Sequence, residues 1–195
     1  MATLFSDNFD RADSTTLGGN WVENYGDWRI ASNKLTSTAA GDNICSNTTA
    51  LGTAAYQVEA VIGYTPASDG GPGICGRLVD INNFYLLHLP PSGVARTNLY
   101  KKVSGGWTLL GTGTIVLVGG ETFKLSMNGT AIKVYVNGVE DISATDSAFG
   151  SEGHPGSRIY NGSSSSQTLD NYAVYDFAAA GGGPTFRRAL LGVGP

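Results

Sequence analysis

Residues 121–140, ETFKLSMNGTAIKVYVNGVE, decide the fold. Phe123, Leu125 and Met127 alternate with Lys124 and Ser126, and Ile132, Val134 and Val136 alternate with Lys133, Tyr135 and Asn137. Successive side chains of an extended chain point to opposite faces, so this pattern sends one set to a core and the other outward. Asn128-Gly129 between the runs predicts a tight type I′ hairpin, because that turn needs positive φ at both central residues. A second Asn-Gly follows at 137–138. The stretch reads as antiparallel sheet.

The same reading extends in both directions. Upstream strand candidates are Trp21 to Asn24, Asp27 to Ala31, Lys34 to Thr38, a weaker one at Ile44 to Ser46, and Ala55 to Tyr64. In the last of these Tyr56, Val58, Ala60 and Ile62 share a face. Asn24-Tyr25-Gly26 and Ser32-Asn33 supply turn chemistry between them. Beyond a Gly-Pro loop at 68–73 comes Ile74 to Asp80, then FYLLHL at 84–89, whose unbroken apolar run suits a strand covered on both faces. Pro90-Pro91 ends it. Val94 to Val103 and Trp107 to Leu110 flank a Ser104-Gly105-Gly106 turn, and Ile115 to Val118 precedes the opening stretch. Val139 to Ser143, Arg158 to Asn161 and Leu169 to Phe177 complete the set, with one helical turn expected near Ser147 to Gly150. So many short strands without a helical period predict an all-β sandwich or barrel.

Composition narrows the function. The 195 residues fit one domain and include 41% hydrophobic residues, 14% charged residues and 28 glycines. Low charge excludes a disordered chain, and a net charge of −4 gives no electrostatic footprint for nucleic acid. No apolar run approaches the ~20 residues of a membrane span. The N-terminal MATLFSDNFDRAD lacks the basic and apolar regions of a signal peptide. Cys45 and Cys75 sit in strand-like segments without metal-ligand spacing and read as buried thiols.

The segments FSDNFDRADSTTLGGNW, DWRIASNKL, YQVEAVI, RLVDINNFYLL, LYKKVSGGWTLLG, FKLSMNGTAIKVYVNG and LDNYAVYDF follow one another in an order that resembles a concanavalin A-like, laminin G-like jelly roll. The likeness spans about residues 3–177. It implies two antiparallel sheets face to face, adjacent first and last strands, Trp21 and Trp28 in the core, and Trp107 and Tyr100 lining the concave side. Domains of this kind serve as capsid decorations or tail components of bacterial viruses and as carbohydrate-binding modules. The glucanases on this scaffold pair two glutamates on one strand, as Glu-x-Asp-x-Glu or Glu-x-Asp-x-x-Glu, so that both carboxylates enter one cleft. Here Glu59 stands alone in its strand and Glu140-Asp141 are adjacent, so a glycosidase of that kind is not expected.

Other catalytic signals are equally thin. His88 reads as a packed or surface histidine, and His154 as part of a turn before Pro155-Gly156. Residues 71–76, GPGICG, match Gly-x-Gly-x-x-Gly, but a strand follows where a dinucleotide site needs a helix. No Gly-x-Ser-x-Gly elbow is present.

What remains is binding. Asp7, Asp10 and Asp13 near the start and Asp170 and Asp176 near the end would converge if the end strands pair; Asp7, Asp10 and Asp170 are the candidate calcium set. Tyr64, Tyr100, Trp107 and Tyr160 are candidate platforms for sugar rings. The domain is expected at 1–177, a Gly-rich linker at 178–184, and an apolar-basic peptide at 185–195 whose Phe186, Arg187, Arg188, Leu190 and Leu191 would dock on a partner. The expected role is a non-enzymatic virion protein, assembled in the host cytoplasm. It would be a capsid decoration or cement subunit contacting the major capsid protein or another virion protein, as a homo-oligomer such as a trimer. The alternative is a lectin-like module binding cell-surface glycans.

Overall fold

In a computed structural model, residues 1–63, 71–90, 96–150, 153–161 and 167–177 are described. They form fifteen strands: β1 (Thr3–Asp7), β2 (Trp21–Tyr25), β3 (Trp28–Ala31), β4 (Lys34–Ser37), β5 (Gly41–Asn47), β6 (Tyr56–Gly63), β7 (Gly71–Asp80), β8 (Asn83–His88), β9 (Asn98–Val103), β10 (Gly106–Thr112), β11 (Thr122–Asn128), β12 (Ala131–Val136), β13 (Val139–Thr145), β14 (His154–Asn161) and β15 (Thr168–Asp176). One sheet runs β13-β12-β11-β6-β15-β4-β3, with β1 also pairing β15; the other runs β10-β9-β8-β7-β14-β5-β2. All pairings are antiparallel, and first and last strands adjoin through Phe5↔Val174 and Asp7↔Tyr172.

The alternation read from sequence does what it predicts. Phe123, Leu125, Met127, Ile132, Val134 and Val136 turn inward from β11 and β12, facing Ile74, Tyr85, Leu87, Leu89 and Ile159 of the other sheet in one core. Each such side chain contributes roughly 1.5–3 kcal/mol relative to exposure. Trp21 and Trp28 are both buried. Trp21 meets Tyr172 edge-on at 4.9 Å and donates from Nε1 to Asp7 at 2.9 Å, so its polar atom is not orphaned.

The central hairpin differs in one detail. Asn128 pairs with Ala131, so the turn residues are Gly129 and Thr130, and only Gly129 has positive φ (58°). That is the type II′ pattern, with glycine at the first central position. The type I′ turn lies at the second Asn-Gly, where Asn137 (φ 48°) and Gly138 (φ 80°) join Val136 to Val139.

Three local expectations are corrected. Ile115 to Val118 is not a strand, because two carboxylates take its amides. Asp141 accepts from Thr114 N (2.8 Å), Ile115 N (3.0 Å) and the Thr97 hydroxyl (2.5 Å), and Glu121 accepts from Val118 N at 2.6 Å. No helical turn forms at 147–150, where the Ala148 amide bonds the Asp146 side chain and the Phe149 amide the Tyr85 hydroxyl. His154 opens β14, opposite Leu78, rather than sitting in a turn. No helix among the described residues is long and apolar enough to cross a membrane.

Asp141→Ala leaves four donors, the Thr114 hydroxyl included, without their acceptor and is expected to cost ~1–3 kcal/mol. A urea titration checks this: the midpoint should fall with the slope unchanged, and an unmoved midpoint would show that 113–118 is held by other contacts.

Candidate functional site

The seven-stranded sheet carries apolar side chains on the face turned away from the core as well. In β8, Tyr85 and Leu87 point inward, while Phe84 and Leu86 join Ile44, Cys75 and Leu78 in a second cluster on the outer face. Register fixes what surrounds that cluster. Leu86 lies opposite Tyr100 of β9, and Tyr100 opposite Leu109 of β10. On the other side His88 lies opposite Gly73 of β7, Gly73 opposite Arg158 of β14, and Arg158 opposite Ile44 of β5.

A cleft of about 300 Å³ opens on this face, lined by Leu86, His88, Tyr100, Trp107 and Arg158. By register Gly73 lies between two of its lining residues, His88 and Arg158. In the row His88–Gly73–Arg158 the middle strand presents no side chain, and a Cβ there would stand 2.5 Å from the Leu87 carbonyl and 2.8 Å from Leu86 Cδ1. The Gly-x-Gly-x-x-Gly match therefore lies inside β7 and serves close strand approach rather than phosphate binding.

Aromatic rings wall the cleft. Trp107 meets Phe84 at 5.6 Å and Tyr100 at 5.9 Å, both edge-on, yet remains 42% exposed, unlike the two core tryptophans. The Arg158 guanidinium lies 5.4 Å from the Trp107 ring centre and 5.3 Å from that of Tyr160, so the two rings straddle it. Its Nε donates to Asp42 Oδ1 at 2.7 Å, and Nη2 pairs with the same oxygen. Lys102 Nζ sits 5.1 Å from the Trp107 ring centre and donates to the Ile81 carbonyl at 2.9 Å.

His88 is held neutral here. Burial lowers its pKa first, the Arg158 charge lowers it further, and a hydrogen bond to the Pro72 carbonyl opposes them, leaving it at about 3. Nδ1 is buried without a hydrogen-bond partner among the described residues.

Of the four aromatic candidates, the structure brings Tyr100, Trp107 and Tyr160 onto this one face; Tyr64 lies outside the described residues. Sequence reasoning missed Arg158; His88, read as a packed or surface histidine, is packed here and lines the cleft. The available signal was position: both occupy alternate sites in strands whose other face is core. The docking residues Phe186, Arg187, Arg188, Leu190 and Leu191 also lie outside the described residues.

The candidate calcium aspartates have these surroundings. Asp7 accepts from Phe9 N (2.8 Å), Arg11 Nη1 (2.7 Å) and Trp21 Nε1 (2.9 Å). Burial raises its pKa, but the bonds from Arg11, Trp21 and Phe9 outweigh this and leave it below the usual value. Asp10 is exposed and Asp170 lies in β15 opposite Val61. No three His, Cys, Asp or Glu side chains among the described residues are grouped to hold a metal ion. The cysteines are free and buried, as expected. Burial pushes both thiols up, Cys75 to about 12.

No family model and no curated protein matches the chain. Solved structures do. The carbohydrate-binding module CBM66 from Bacillus subtilis is 20% identical, with 80% of this chain and 92% of that one covered and a TM-score of 0.61. A structure from work on endo-acting O-glycanases of the human gut microbiota is 10% identical, covering 91% and 100%, at 0.65. The CBM2 module of the evolved Dit of Lactobacillus casei BL23 phage J-1 is 11% identical, covering 90% and 97%, at 0.57. These likenesses show the fold, a concanavalin A-like jelly-roll sandwich.

The His88 environment has a measurable consequence. The unfolded chain takes up a proton near pH 6.5 that the folded chain refuses until about 3. Stability from this group is complete above the unfolded value and is lost as pH falls through that window, by at most about 1.4 kcal/mol per pH unit. Between pH 7 and 5, above most carboxylate titration, chemical denaturation of His88→Gln should show a shallower fall than the parent; parallel curves would refute it.

Proposed function

We propose that the chain is a non-enzymatic glycan-binding module whose site is the outer-face cleft. One observation carries this: Trp107 and Tyr100 stand nearly at right angles beside a cleft, on a sheet face that the core does not use. A sugar ring offers an apolar C–H face for an aromatic ring and a rim of hydroxyls for nearby polar groups. Trp107 and Tyr100 supply the first, and Arg158 and His88 the second. The folds it resembles include a carbohydrate-binding module, which supports the reading.

Binding is favoured over hydrolysis by what the acids do. Retaining and inverting glycosidases both need two carboxyl groups across the scissile bond. The residues lining the cleft include none, and Asp42 beside it is committed to Arg158. Glu59 pairs with Lys124 at 3.1 Å, Glu140 with Lys133 at 2.7 Å, and Asp141 braces the 113–118 segment.

The likeness to a phage Dit module favours a virion-borne setting, where such a module would serve adhesion to a host surface. A capsid decoration role, with the major capsid protein as partner and a trimeric arrangement, is the finer form of that reading. It places contact on the 185–195 peptide. A structural calcium ion at the N-terminal aspartates would have to displace Arg11 from Asp7.

A glycan array with purified protein should give saturable binding. Trp107→Ala or Tyr100→Ala should weaken it at least ~10-fold, about 1.4 kcal/mol, with the far-ultraviolet circular dichroism unchanged. Full affinity in both variants would move the site off this face. For the capsid form, removal of residues 181–195 should leave thermal unfolding of the sandwich intact and reduce capsid occupancy. Normal occupancy would end the peptide's role.

A further inference from the structure

Building on the glycan reading, we infer that the cleft selects an acidic glycan, seating a carboxylate or sulfate of the ligand on the free end of Arg158. The guanidinium is unusually placed for a surface cation. Arg158 is only 8% exposed. One edge, Nε and Nη2, is spent on Asp42 Oδ1, and Trp107 and Tyr160 flank the group. Nη1 makes no bond within the described residues, and Arg158 lines the cleft. A preoriented guanidinium end with unspent donors matches the oxygen pair of a carboxylate or sulfate.

Local charge points the same way. Asp42 balances Arg158 through a single oxygen, while Lys102 has no carboxylate partner among the described residues and stands over Trp107. Arg158, Lys102 and Asp42 together are therefore net cationic although the whole chain is formally −4. His88 registers that field, since the Arg158 charge helps keep it unprotonated. Gly73 lies between them by register, and a Cβ there would collide with the Leu87 carbonyl and with Leu86. A neutral glycan would fill the rings' stacking surface but leave Nη1 on water. Charge-assisted bonds are about twice as strong as neutral ones, so the acidic ligand wins.

The test uses the full chain and a panel of uronate-, sialate- and sulfate-bearing oligosaccharides, each beside its methyl-esterified or desulfated form. At least one acidic member should bind with its neutralised form weakened ~10-fold or more, and that affinity should fall as salt is raised. Arg158→Gln should weaken both forms through the lost hydroxyl contact but should erase most of the difference in affinity between the acidic form and its neutralised partner. Should Arg158→Gln fail to fold, the acid–ester comparison on the parent protein decides alone. Equal affinity for acidic and neutral forms overturns acid selection while leaving the glycan reading intact. Binding to no member of the panel overturns both.

Discussion

Strand β8 is apolar on both faces, and the rest of the molecule depends on that. A strand with core on one side needs only alternate apolar residues. FYLLHL has them at nearly every position, so the seven-stranded sheet has two apolar surfaces and only one of them meets the other sheet. The second surface must be covered or used. Trp107, Tyr100 and Lys102 lean over Phe84 and Leu86 and cover much of it, but not all: a cleft stays open beside Leu86, His88 and Arg158. The cleft is what this incomplete cover leaves.

That origin also places the site on the sheet itself. Its walls stand on β8, β9, β10 and β14, each hydrogen-bonded within the sheet, rather than on loops. The Arg158 side chain is further fixed by Asp42 from β5, the next strand across. An aromatic platform and a cation held in this way lose little freedom when a ligand arrives, and so more of the contact energy survives as affinity.

The sequence made most of this architecture readable because period-two alternation acts locally. The hairpins at 121–140, the burial of Trp21 and Trp28 and the pairing of first and last strands all follow from patterns within a few residues or from the family likeness. The failures are long-range. Ile115 to Val118 carries good strand residues, but its amides are claimed by Asp141 in β13 and Glu121 beyond the loop. Trp107 and Tyr100 were legible as aromatic candidates in a hairpin. Arg158 was not, because nothing near it in sequence reveals that β7 and β5 flank it, or that Gly73 empties the position beside it.

The charges carry the same lesson. Counted along the chain, the acids outnumber the bases and suggest an anionic protein. In space, many of the acids are spent on internal work: Asp7 on Arg11 and Trp21, Glu121 and Asp141 on loop amides, Asp146 on Lys101 and Tyr85. These carboxylates face hydrogen-bond donors inside the fold, and their charge is compensated there. On the outer face Arg158 is paired with Asp42, and Lys102 has no carboxylate partner among the described residues. Interactions between exposed charges fade beyond ~10 Å at moderate salt. A ligand at the cleft therefore responds to Arg158, Lys102 and Asp42, and hardly to the net charge of the chain.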